Sequence, residues 1–203
     1  VELGDTERFF HQFRLFGELF GERERAAELV EGVQEILDDL DARAERIEEP
    51  KRAYAGGMMF FGPADLLRTT GDYAPFDFTN TINVMPTNPV GNLQPYMTTL
   101  EELVHANPDY VFIDTANNNL SMNGYRADQA VLDEQVAAFA NREVHTTLVY
   151  KYYGTNWANQ IINIYFVGTV LYPDAFSDVS AQAKAEEIWQ LFFQVPVAYD
   201  EVT

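Results

Sequence analysis

The stretch TTLEELVHANPDYVFID (residues 98–114) decides the fold class. Thr99 followed three residues on by Glu102 has capping-box spacing, in which hydroxyl and carboxylate each accept a backbone N–H left over at a helix start. Pro108 cannot continue a helix, so this one closes before it. DYVFID (109–114) follows as a buried strand. A helix leading directly into a buried strand is the repeating unit of a mostly parallel sheet covered by helices on both faces.

The same alternation extends in both directions from there. RAYAGGMMFF (52–61) reads as a strand running into a glycine turn. GPADLLRTTG (62–71) reads as a helix, with Pro63 at its first position and Gly71 as its stop. NTINVM (80–85) is a short strand, ADQAVLDEQVAAFAN (127–141) a helix and VHTTLVY (144–150) a strand. NWANQIINIYFVGTVLY (156–172) predicts a largely buried helix stopped by Pro173. SAQAKAEEIWQLFF (180–193) predicts an amphipathic helix opening at Ser180. The fold class is therefore α/β, a Rossmann-like lobe.

Two helices precede this lobe. TERFFHQFRLFGELF (6–20) spaces its phenylalanines as a short packed helix does. Ala26, Val30, Val33, Leu37, Leu40, Ala44 and Ile47 then recur in steps of four and three, with acids and arginines between them. That pattern predicts an amphipathic helix from Glu22 to Glu49, ended by Pro50 and roughly 40 Å long. A coiled-coil segment fits the same spacing as well as a single helix lying across a globular body. The chain thus divides into 1–21, 22–49 and 50–203. Its opening, VELGDTERFF, reads as an excised piece of something longer.

Composition narrows function mainly by exclusion. A chain of 203 residues, 47% hydrophobic and 14% aromatic, has the material for a proper core. A net charge of −19 argues against nucleic acid and anionic membrane surfaces as partners. The lack of cysteine removes disulfides, thiolate metal sites and cysteine nucleophiles. Apolar runs stay short of the ~18 residues of a membrane span. His11, His105 and His145 fall on a helix, a helix and a strand without ligand-like spacing. HExxH, GxSxG and P-loop patterns are missing. Neither a catalytic residue, a metal site nor a cofactor is assigned.

Ligands of parallel α/β sheets bind beyond the carboxyl ends of the strands. GGMMFFG, TANNNLSMNGY and KYYGTNW each follow a strand and so share that edge. Gly57 and Met58, Asn117 and Asn118, and Tyr152, Tyr153, Thr155, Asn156 and Trp157 are the candidate ligand-binding residues. Glycine lets backbone approach a ligand, the aromatic rings offer flat apolar faces, and the amides offer neutral hydrogen bonds. Glycine pairs and asparagine runs also serve as plain turns.

The order of segments resembles the C-terminal part of the substrate-binding proteins of iron-complex and cobalamin ABC importers, whose two lobes are joined by a helical backbone. LFGELFGERERAAELVEG is similar to the start of that connecting helix. TTLEELVHANPDYVFID is similar to a recurrent segment of the second lobe, YKYYGTNWANQIINIYFVGTVLYPDAFSDV to the last ligand loop and its helix, and KAEEIWQLFF to the closing helix. The resemblance covers most of residues 14–193 and lacks a first lobe. It implies a monomeric extracytoplasmic receptor, periplasmic or lipid-anchored, that holds half of a cleft and hands a metal chelate to permease subunits. It also implies one exposed carboxylate per lobe facing permease arginines, for which Asp77 matches by position and Asp65 is second; the family more often has glutamate there. Residues 69–203 hold four basic side chains, so a neutral or weakly charged iron chelate fits better than a strongly anionic one, with siderophore-like compounds, haem and cobamides open. The alternatives are an α/β enzyme domain with catalytic residues in a missing N-terminal portion, and a sensor or adhesion module. An enzyme would place groups of shifted ionisation in the cleft; a receptor would line it with rings and amides.

Overall fold

A computed structural model describes residues 6–59, 62, 65–86, 95–151 and 154–196. Helices α1 (Thr6–Phe20) and α2 (Arg23–Ala44) form an antiparallel hairpin. Gly21, at φ +75°, makes the turn, and Gly17 lets the two helices touch, since a Cβ there would lie 2.5 Å from that of Ala26. The apolar repeat of α2 is read correctly but overextended. Its last regular turn closes at Ala44, and Ile47 reaches the core through a tight turn in which its N–H donates to the Ala44 carbonyl.

Strand β1 (Arg52–Gly56) leads to the short β2 (Arg68–Thr69), α3 (Ala74–Asp77) and β3 (Ile82–Asn83). After β4 (Tyr96–Met97) come α4 (Leu100–Ala106), β5 (Tyr110–Asp114), a 3₁₀ turn (Thr115–Asn117), α5 (Asn118–Gln135), α6 (Ala137–Ala140) and β6 (Val144–Thr147). Helices α7 (Trp157–Leu171) and α8 (Ala181–Phe193) complete the order. The main sheet is parallel throughout, in the order β3-β1-β5-β6, and β2 pairs with β4 in a separate antiparallel ribbon.

Alternate strand residues feed two cores, as the pleat requires. Ala53, Ala55 and Phe112 face a layer built from α1, α2, α3, α7 and α8, whose buried members include Phe9, Val33, Leu37, Leu40, Phe76, Ile161 and Trp189. Tyr54, Val111 and Ile113 face Leu103 of α4, Leu132 of α5 and Phe139 of α6. This is the α/β arrangement expected from residues 98–114, with helices on both faces. The capping box is formed as read: Thr99 Oγ1 accepts the Glu102 N–H at 3.2 Å, and the Glu102 carboxylate accepts the Thr99 N–H at 2.9 Å.

Two local expectations fail. The helix expected over 62–71 is a turn followed by β2 among its described residues; Pro63 lies outside them. The Asp65 carboxylate accepts the Leu67 N–H at 2.9 Å, folding the chain into an Asx-type turn, and the Arg68 carbonyl is taken by the Met58 N–H. TANNNLSMNGY, expected to be a loop, is instead the 3₁₀ turn and the first part of α5, with Asp128 (φ −114°) marking a kink where the expected helix begins. The cap is the carboxylate of Asp114, which accepts the Ala116 N–H at 2.8 Å.

Candidate functional site

The parallel order of β1, β5 and β6 carries the three candidate loops off one edge of the sheet, at its carboxyl ends. Neighbouring loops are also tied to one another. Thr115 Oγ1 donates to the Thr147 carbonyl at 2.9 Å, linking the ends of β5 and β6, and Tyr73 OH reaches Thr147 Oγ1 at 3.4 Å. Asn117 Nδ2 lies 3.3 Å from the Met59 sulfur, linking the loop after β5 to the loop after β1.

Gly57 does require glycine: φ is +69°, and a Cβ would meet Ser121 Oγ at 2.8 Å and the Asp114 carbonyl at 3.2 Å. Its close approach is therefore to the start of α5, within the protein, rather than to open space. Met58 is 2% exposed and belongs to the apolar core, which corrects its reading as a ligand-facing side chain. Asn117 is half-buried and Asn118 is exposed at the first residue of α5.

The β6–α7 connection is an excursion closed at its base. The Asn156 N–H donates to the Tyr150 carbonyl at 2.7 Å, and Lys151 bridges to Thr155. Gly154 is exposed with open space around it, and Tyr152 and Tyr153 lie outside the described residues. Asn156 is exposed while its side chain caps α7, accepting the Asn159 N–H at 3.2 Å. Thr155 is half-buried. Trp157 turns toward α1: its ring packs edge-on against Phe9, centroids 4.6 Å apart, and near Phe13. Its Nε1 is buried with no hydrogen-bond partner among the described residues.

Sequence reasoning passed over the groups that hold this loop. Asn163 Nδ2 donates to the Leu148 carbonyl at 2.8 Å while its Oδ1 accepts the Leu148 N–H at 2.9 Å. Asn159 Nδ2 donates to the Val149 carbonyl at 2.8 Å and its Oδ1 accepts from Trp189 Nε1 at 3.0 Å. Their spacing, one helical turn apart on the face that meets the strand, was the available signal.

Asp114 was also passed over. It ends β5 at this rim, is 1% exposed, and burial raises its carboxyl to about 7 against the lowering effect of the Ala116 N–H. Among the described residues no group of three or more histidine or carboxylate side chains is placed to hold a metal ion.

The two carboxylates read as permease contacts differ in exposure. Asp77, at the end of α3, is exposed; desolvation and then the charge of Asp72 raise its carboxyl to about 6. Asp65 is half-buried and committed to its turn.

No protein-family profile matches the chain, and comparison with curated proteins finds no match. Solved structures do match. An ABC transporter solute-binding protein from Sulfurospirillum deleyianum superposes with a TM-score of 0.72 at 21% identity, covering 99% of this chain and 62% of its own. A periplasmic solute-binding protein from Veillonella parvula gives 0.72 at 14% identity, covering 98% and 60%. The molybdate-binding MolA of Haemophilus influenzae, bound to molybdate, gives 0.72 at 16% identity, covering 95% and 57%. The fold is that of the periplasmic solute-binding proteins of ABC importers, of which this chain spans about 57–62%. These neighbours are named as solute-binding proteins. No described helix is long and apolar enough to cross a membrane.

Proposed function

We propose that the chain is the connecting helix and second lobe (22–49 and 50–203) of an extracytoplasmic solute receptor, which binds an iron chelate and delivers it to the permease of an ABC importer. The observation that carries this reading is the convergence of three strand-end loops on one sheet edge, in a fold shared with a solute-binding protein of an ABC transporter. The exposed amides of Asn118 and Asn156, the open Gly154 and the neighbouring Tyr152–Tyr153 supply hydrogen bonds and flat apolar faces for a weakly charged chelate such as a siderophore complex, haem or a cobamide. Asp77, exposed where Asp65 is engaged, is the better candidate for the permease contact.

An enzyme domain would want a reachable group of shifted ionisation at the rim. Asp114 has the shift but is sealed in and occupied as a cap, which favours the receptor. The test is calorimetric titration of the full-length protein with a ferric hydroxamate, a ferric catecholate, haem and cyanocobalamin. Binding of one, weakened roughly tenfold or more by Asn156→Ala, is expected for a lost hydrogen bond with a desolvated partner. Binding unaffected by changes in all three loops contradicts the assignment.

A further inference from the structure

Helix α5 is two helices joined at Asp128, whose φ of −114° and ψ of 15° fall outside the helical range. The part before the joint is built from weak helix formers, residues 117–124 reading NNNLSMNG. Its one buried side chain is Ser121, and that hydroxyl finds no hydrogen-bond partner among the described residues. Asn118, Leu120 and Met122 are exposed. The described contacts that hold this part sit near its ends. Asp114 caps the Ala116 N–H, and the Tyr125 ring stacks on Phe139 with centroids 5.4 Å apart. Past the joint, Leu132 is buried in the core shared with β1 and β5.

We propose that residues 115–127 are a flap hinged at Asp128, which swings from its seat on the lobe to close on a chelate held at the strand-end edge; this rests on the receptor reading and names the part of the wall that moves. A segment poor in helix propensity and in buried apolar contacts opens at low cost, and elements that close on ligands are drawn from that end of the stability range. Rotation about Asp128 moves Asn118, Leu120 and Met122 together, so one amide and two apolar side chains change their reach into the mouth as a unit. The Ser121 hydroxyl, unpartnered in the docked position, gains a partner once the flap lifts, which offsets part of the cost of undocking. A chelate with an apolar periphery and neutral hydrogen-bonding groups is the class such a flap grips.

The flap can be locked in its seat. A Cβ at Gly124 would lie 3.7 Å from that of Asp65, within the spacing of about 3.5–4.5 Å that a disulfide spans. The chain has no cysteine of its own, so Asp65→Cys with Gly124→Cys forms one defined staple. Each single substitution is the control without a bridge. Amide hydrogen exchange of the 203-residue chain is expected to be about tenfold or more faster over 122–127, past the free N–H groups of the first turn, than over 132–135. The staple should slow 122–127 selectively, and the single substitutions should not. The full-length polypeptide is then titrated with a ferric hydroxamate, a ferric catecholate, haem and cyanocobalamin. The staple should weaken binding of the probe that the parent takes up by about tenfold relative to both single variants, because the closed state is no longer reached. Exchange over 122–127 as slow as over 132–135 without the staple overturns the flap. Equal affinity of stapled and single variants overturns it as well, and leaves the receptor reading standing. A parent polypeptide that binds none of the four probes overturns that reading and the flap's role together, an outcome told apart because no staple is involved.

Discussion

Gly57 and Asp114 meet at the point where β1 and β5 deliver their loops, and each carries a testable cost. Gly57→Ala must adopt a left-handed backbone and push against Ser121 and the Asp114 carbonyl. Strain of that kind costs about 1–3 kcal/mol, to be read as a lowered midpoint in urea denaturation. Asp114 titrates near 7 in the folded chain against an unperturbed value near 4. A raised folded value means its favourable contribution is complete below about pH 4 and is lost as pH climbs to about 7. Asp114→Asn keeps an oxygen for the Ala116 N–H and removes the titration. Its advantage over the parent in denaturant midpoint should therefore grow between pH 4.5 and 7.5; parallel profiles would contradict the buried-carboxyl account. Neither role was legible in the sequence. Gly57 read as room for a ligand because a glycine states that space is needed and not what fills it. Asp114 read as the tail of a strand, because its burial depends on contacts that no local pattern records.

At the scale of elements, the packing of α2 was legible and its fastening was not. The four-three repeat placed Val33, Leu37 and Leu40 against the core correctly. Arg43, counted among the polar fillers, is 6% exposed and holds Asp178 with two hydrogen bonds of 2.7 and 2.9 Å while also reaching Asp39 and the Ala175 carbonyl. Asp39 in turn accepts from Tyr165 OH at 2.7 Å. Together with the Arg25 guanidinium on the Leu191 carbonyl and the tight contact at Gly32, these bonds make α2 part of the lobe rather than a tether beside it. Arg43→Ala should cost about 2–3 kcal/mol, the scale of lost charge-assisted bonds in a buried place, measured by thermal or urea unfolding. Asn163→Leu should cost about 1–3 kcal/mol through the stranded Leu148 N–H and carbonyl, and should blunt chelate binding because the β6–α7 loop loses its clamp. The TANNN segment shows the converse failure. Asparagines read as turn formers, yet a carboxylate cap and the contact of Ser121 with Gly57 turn the segment into a helix start.

Over the whole molecule, strand order determines what can be assembled. Once β1, β5 and β6 are parallel neighbours or next neighbours, their following loops share an edge whatever their sequences. That much of the candidate site could be read beforehand, because burial periodicity is local and crossover geometry is general. Which side chains turn outward could not: Met58 and much of Trp157 went into the protein, while Asn118, Gly154 and Asn156 stayed out. The acidic surface bears on the partner. Asp77→Lys reverses the exposed charge proposed to face the permease, and should impair uptake of the chelate by cells while leaving its affinity in solution unchanged; loss of affinity would remove Asp77 from that contact.

If the carboxyl-edge loops form one wall of the chelate mouth, amide hydrogen exchange of the full-length protein with and without a saturating chelate that it binds will register it. Exchange is expected to slow together in residues 57–59, 115–118 and 151–156, with α4 and the amino ends of the strands unchanged. Protection confined to other surfaces, with these three segments exchanging as fast as before, would contradict it.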